Sequence, residues 1–185
     1  MPENRRTDSD RATGTDTGTG AATGAGTGTG PGPGPLAVDE RGNALLAFLP
    51  GAEDTPPGGA PVTVALVVMR HGGRILLVHD RYRDWWELPG GGIEPGEIPR
   101  RAAARELWEE SGQRADGELR FAGWARFLTA PARRTEYGAL FTGGAARREP
   151  FRVNAETTGL HWWDPAGPPP GRAAALDLLL VRLTG

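Results

Sequence analysis

Residues 91–113 read GGIEPGEIPRRAAARELWEESGQ, and no other stretch of the chain narrows its fold as far. A glycine turn feeds a segment built for a helix. Pro99 suits the first helical position, where its missing N–H costs nothing, and the alanines that follow have the highest helix propensity. The pattern predicts a helix from Pro99 to about Gly112, where glycine can close it. At about 100° of rotation per residue, Arg105, Glu106, Glu109 and Glu110 share one side, and Ala103, Ala104, Leu107 and Trp108 the other. One face should pack and the other carry charge.

Glutamates at this spacing repel, so the charged face calls for a counter-ion. A hard divalent cation supplies one: Mg²⁺ takes oxygen ligands and is commonly held by one or two carboxylates together with substrate phosphates. Composition narrows the alternatives. The chain has no cysteine, which excludes disulfides, thiolate nucleophiles and sulfur-bound zinc and leans toward a reducing compartment. All 21 basic residues are arginine, so there is no lysine for a Schiff base. A net charge of −2 gives no footprint for nucleic acid or a membrane surface. No apolar run follows Arg5 and Arg6, so neither an export signal nor a membrane span is expected, and the cytoplasm is the default location.

Around the helix the chain reads as one domain with a tail. Residues 1–35, rich in Gly, Thr, Pro and Ala, cannot bury enough surface to offset ordering and are expected to be disordered. Residues 36–60 form an extension in which Gly42-Asn43 suggests a short hairpin. In the remaining domain, 61–185, the run VTVALVVM at 62–69 predicts a strand covered on both faces, joined through Gly72-Gly73 to a second strand at 74–78. Strands follow at 119–128, 137–142 and 160–163, and a helix at about 172–183 carries an apolar stripe of Ala175, Leu176, Leu179, Leu180 and Leu183. Strands interleaved with two helices make an α/β or α+β layered fold with a mixed sheet.

The central stretch resembles the Nudix box, G-x5-E-x7-R-E-U-x-E-E-x-G-U with U aliphatic, through Gly91, Glu97, Arg105, Glu106, Leu107, Glu109, Glu110 and Gly112. Gln113 departs from the pattern, standing where an aliphatic residue is usual, which is expected to weaken a packing contact at the helix end, and Ile98 removes the usual N-cap oxygen. The resemblance implies an α/β/α sandwich over about residues 60–183. It also implies hydrolysis of a nucleoside diphosphate linked to another moiety, with Mg²⁺, or Mn²⁺ in its place, as cofactor. It assigns metal binding to Glu106, Glu109, Glu110 and the carbonyl of Gly90, makes Glu106 a base or water-orienting group, and gives Arg105 and Glu97 a supporting role. Family members commonly add a loop glutamate six residues before a strand tryptophan; Glu156, six before Trp162, is the match, with Glu136 the weaker competitor.

Trp85 and Trp86 are candidates to stack a base, and Arg133 and Arg134 to hold phosphates. His71, His79 and His161 read as structural. The substrate expected is a small nucleotide: a nucleoside triphosphate or a modified one such as 8-oxo-dGTP. ADP-ribose or a nucleotide sugar is the alternative, suggested by Pro131 beyond the box, and a non-catalytic nucleotide sensor is the rival from another class. Relatives are commonly homodimers, although no stretch here identifies an interface.

Overall fold

A computed structural model describes residues 34–185. The expectation for residues 1–33 lies outside the described part. The elements, in order, are β1 Ala37–Val38, β2 Ala44–Leu49, β3 Val62–His71, β4 Arg74–Asp80, β5 Trp85–Glu87, β6 Gly90–Gly92, α1 Pro99–Ser111, β7 Arg120–Thr129, β8 Arg134–Gly144, β9 Thr157–Trp163 and α2 Ala175–Leu183. The strands form one mixed sheet in the order β1-β2-β7-β8-β3-β4-β5, with β6 also on β3 and β9 on β4. The β3–β8 pair is parallel and the other ladders are antiparallel.

The apolar run of β3 explains why the sheet is covered twice. Successive strand side chains face opposite ways, and Ala65, Val67 and Met69 join Ala102, Ala103 and Leu107 of α1 in one core cluster. Val68 joins Leu176, Leu180 and Val181 of α2 in the other. The same alternation divides β4, with Leu76 on the α1 side and Ile75 and Leu77 on the α2 side. The result is the α/β/α sandwich. Residues 36–60 place β1 against β2 as a hairpin, and β2 extends the sheet by pairing with β7.

Three expectations need correction. In α1, Ala104 and Trp108 face solvent and Glu110 is buried, so the packed stripe is Ala102, Ala103 and Leu107, continued by Glu110 and Ser111. The helix is rotated because the Glu110 carboxylate accepts the backbone N–H of Gly90 (2.9 Å) and is drawn against the sheet. β8 begins earlier than expected: Arg134, Thr135 and Glu136 pair with Thr129, Leu128 and Phe127, leaving only residues 130–133 in the connection. α2 starts at Ala175 rather than Arg172. The preceding residues are extended beside β5, with Trp86 donating its N–H to the Arg172 carbonyl and accepting from Ala174 (both 2.8 Å). Its buried stripe is Leu176, Leu180 and Val181, while Ala175 and Leu183 are exposed.

Candidate active site

The site begins with a close approach of backbone to helix. β6 lies on β3 with Leu66 opposite Gly90 and Ala65 opposite Gly91. A Cβ at Gly91 would stand 2.6 Å from the Glu106 Cδ, and one at Gly90 would overlap the Ala65 carbonyl and Leu66. Glycine is required so that the strand can pass directly under the α1 carboxylates. At the helix start Ile98 offers no side-chain cap, and Pro99 occupies the first turn. At its end Gly112 is left-handed (φ 67°) and donates its N–H to the Trp108 carbonyl (2.8 Å).

Arg105 organises the charged face. It donates to both carboxylate oxygens of Glu97 (3.1 and 2.8 Å), to Glu106 (2.7 Å), to Glu109 (3.2 Å) and to the carbonyl of Gly92 (2.9 Å). Its fork of five donors suits this task, which an ammonium could not copy. Glu97 also accepts the N–H of Glu94 (3.1 Å), and these hydrogen bonds, Arg105 first, hold its carboxyl below the usual range.

The other carboxylates are pushed the opposite way. Burial raises Glu106, against the pull of Arg105, and the charges of Glu109 and Glu156 add to the rise. Burial raises Glu110 to about 8, opposed by the Gly90 N–H and reinforced by Glu87, Glu106 and Glu156. Glu156 is thus close enough for its charge to be felt by two α1 glutamates. Asn154 holds it there: its carboxamide oxygen accepts the N–H of Glu156 (2.9 Å) and of Thr157 (2.7 Å), and its amide donates to the Glu109 carbonyl (2.8 Å). Arg81 braces the same turn, donating its backbone N–H to the Glu156 carbonyl (2.8 Å) and its guanidinium to the carbonyls of Ala155 and Asn154.

The donor set fits a hard divalent cation. It is all oxygen, from Glu106, Glu109, Glu110 and Glu156, and Arg105, the guanidinium that pairs with Glu106 and Glu109, is also engaged by Glu97, while Glu110 is paired with no cation among the described residues. Two of the four are raised by crowding and burial, which an added positive charge would relieve. Among the described residues no three Asp, Glu or His side chains are already drawn into a closed ligand set.

A cavity of about 310 Å³ opens beside Gly90 and Gly91 and is lined by Trp85, Arg83, Glu87, Asp177 and Glu136 among others. Trp85 is buried, donates its indole N–H to Glu87 (2.6 Å) and has the Arg41 guanidinium 4.3 Å from its ring centre. Asp177, in the first turn of α2, accepts the N–H of Leu88 (2.9 Å). Burial, then the nearby Glu87 charge, raises Asp177 to about 7. Trp86 faces away from the cavity, edge-on to His79 (4.9 Å) and His161 (5.9 Å). His79 also meets the Thr158 hydroxyl (2.8 Å), and His71 meets the Ala145 carbonyl (2.8 Å). Arg133 and Arg134 lie exposed at the β7–β8 turn and do not line the cavity.

Sequence reasoning missed Asn154, Asp177, Arg83 and Glu87. Only Asn154 left a local signal, an Asn two residues before the candidate glutamate. It also misread Gln113. That side chain is buried, donates to the carbonyl of Glu149 (2.8 Å) and accepts its N–H (2.9 Å), tying the end of α1 to the β8–β9 loop.

A family model described as NUDIX domain matches residues 59–180. A "MutT-like protein" of Streptomyces ambofaciens is 34% identical over 120 residues, covering 61% of this chain and 70% of that protein. A Bacillus subtilis protein provisionally named an 8-oxo-dGTP diphosphatase is 33% identical over 100 residues, covering 54% of this chain and 64% of its own length. The crystal structure of a MutT NUDIX hydrolase from Burkholderia pseudomallei superposes with a TM-score of 0.59 at 18% identity, covering 69% of this chain and all of that one, a likeness of fold. No helix among the described residues is long and apolar enough to cross a membrane.

Proposed function

The chain belongs to the Nudix family, whose hydrolases act on pyrophosphate bonds and generally use divalent metal ions, and we propose that it is a Mg²⁺-dependent pyrophosphohydrolase of a nucleoside diphosphate linked to a further group. The observation that carries the reading is the placement of the Glu106 and Glu110 carboxylates against the Gly91 and Gly90 backbone, with Arg105 bonded to Glu106 and Glu109 and the charge of Glu156 felt by both Glu106 and Glu110. The three α1 glutamates, Glu156 and the Gly90 carbonyl would hold the ion, with Mn²⁺ able to replace Mg²⁺. When bound, the ion neutralises the diphosphate and acidifies the attacking water.

The rest is done by the chain. Glu106, fixed between Arg105 and Gly91, orients the water and takes its proton. Arg105 and Glu97 hold that carboxylate by hydrogen bonds, and Asn154 fixes the backbone at Glu156 beside it. The nucleoside lies in the cavity beside Gly90, where Trp85 supplies an apolar wall and the Asp177 carboxyl, raised to about 7 by burial, can donate to a base edge when protonated and accept from it when ionised. Nucleoside triphosphates, including oxidised ones, are the first substrates to test.

The test is phosphate release with Mg²⁺ across nucleoside triphosphates, 8-oxo-dGTP, ADP-ribose and nucleotide sugars, run with added pyrophosphatase and, in parallel, with added phosphatase. Signal that requires pyrophosphatase indicates a triphosphate cut to monophosphate and pyrophosphate. Signal on ADP-ribose that requires phosphatase moves the enzyme to the nucleotide-sugar branch. No turnover in either arm, with Glu109→Gln indistinguishable from wild type, would reject the hydrolase.

A further inference from the structure

Among the described residues the buried tryptophans Trp124, Trp162 and Trp163 belong to the two core clusters, whereas Trp85, only 6% exposed, belongs to neither. Charge is what covers it. The Arg41 guanidinium lies 4.3 Å from its ring centre and that of Arg172 5.4 Å. These two arginines are far apart in sequence, Arg41 in the turn between β1 and β2 and Arg172 in the extended residues ahead of α2. Glu40 ties the turn to the second segment by accepting from the Arg172 Nε (2.7 Å). Arg41 is itself exposed, and among the described residues its guanidinium makes no ion pair, so the indole face is the partner it has.

The turn that carries Arg41 is held firmly. The Asp39 carboxylate accepts the backbone N–H groups of Arg41 (2.9 Å) and Asn43 (2.8 Å) and the side-chain amide of Asn43 (2.8 Å). The Asn43 carboxamide oxygen in turn accepts the N–H of Ala130 (2.8 Å). What is free to swing is the Arg41 side chain. Asp39, Arg41 and Asn43 line the 310 Å³ cavity together with Trp85, so this side chain stands inside the space assigned to the nucleoside. A base stacked on the indole would fill the place the guanidinium now holds, and the two exclude each other. We propose that Arg41 is an autoinhibitory cover of the nucleoside cavity, a cation resting on the Trp85 face that a nucleobase must displace before it can bind. The inference rests on the reading that the nucleoside enters this cavity, and it gives the N-terminal hairpin control over the affinity of that site.

The test is calorimetric binding of ATP and GTP analogues whose α–β anhydride oxygen is replaced by methylene, with Mg²⁺, alongside kcat/KM for ATP and GTP, in wild type, Arg41→Ala and Arg41→Lys. The turn uses the Arg41 backbone and not its side chain, so alanine leaves it intact. A cation–π contact at an exposed site favours the covered form by roughly 2- to 5-fold. Apparent affinity scales with the uncovered fraction, so Arg41→Ala should bind the analogues roughly 3- to 6-fold more tightly and gain the same factor in kcat/KM. Arg41→Lys, whose ammonium can still rest on the ring, should gain less. The sign is diagnostic. Removing a positive charge beside a polyphosphate weakens binding by charge alone, and a damaged fold weakens it too, so neither yields a gain. Equal or weaker analogue binding by Arg41→Ala, with wild type hydrolysing nucleotides, would overturn the cover and leave the hydrolase reading standing. Tighter analogue binding by Arg41→Ala with no nucleotide hydrolysed would uphold the cover and reject the hydrolase. Failure of both proteins to bind either analogue would remove the nucleoside from this cavity, and the cover with it.

Discussion

Gln113 offers the sharpest test of how the site is assembled. Its carboxamide makes a reciprocal pair of hydrogen bonds with the Glu149 peptide, and that loop continues to Asn154, which joins the Glu109 carbonyl to the N–H of Glu156. In Gln113→Leu, three hydrogen bonds worth about 0.5–1.5 kcal/mol each are lost, the pair to Glu149 and a longer one to the Ser111 carbonyl, against about 1.5–3 kcal/mol gained by burying leucine. The two nearly cancel, so the midpoint of global unfolding should barely move. The loop itself has no such compensation. Losing about 1–3 kcal/mol of local restraint should speed amide exchange at Glu149 by roughly 5- to 150-fold, since its N–H is bonded only to the side chain removed. Hydrolysis should slow through Glu156, so the double variant Gln113→Leu/Glu156→Gln should be no slower than Glu156→Gln alone. Unchanged exchange at Glu149, or rate losses that add in the double variant, would refute the idea that Gln113 acts by holding the loop.

Three further outcomes follow from the geometry. In Gly91→Ala the new methyl falls 2.6 Å from the Glu106 carboxylate, a side-chain end that can swing aside, so the protein should fold normally while kcat falls by at least about tenfold; an active Gly91→Ala would show that Glu106 need not sit there. Arg105→Lys retains the charge but cannot serve Glu97, Glu106, Glu109 and Gly92 together, and should cost roughly 10- to 100-fold in kcat with little change in melting temperature; full activity would argue that only the charge matters. Asp177 is raised by folding from 3.8 to about 7, so the folded chain keeps a proton that the unfolded chain releases. Stability from this group is therefore complete below about pH 4 and declines as pH rises toward 7, by up to about 4 kcal/mol. Asp177→Asn should flatten that slope in urea titrations between those limits, and an unaltered slope would place the proton elsewhere.

What was readable in the sequence, and what was not, divides along the range of the interactions. Glu106, Glu109, Glu110 and Arg105 sit at fixed steps on one helix, so their grouping is set by helical geometry before any tertiary contact forms. The two-sided burial of β3 was legible for the same reason, since an unbroken apolar run leaves neither face for water. The rotation of α1 was not, because the tie from Glu110 to the Gly90 N–H spans the turn and outweighs the apolar claims of Trp108 and Ala104. The beginning of α2 was hidden likewise, its first residues being taken up by backbone hydrogen bonds to Trp86. Gln113 was misread most instructively. A polar residue in an aliphatic position suggests a weakened contact, yet its partner lies 36 residues away in a loop without periodicity, and the exchange of packing for hydrogen bonds is visible only when both are seen together. The departures from a motif, more than the matches, are where the structure adds information. A match repeats what local geometry already requires, whereas a departure persists only if something distant compensates for it.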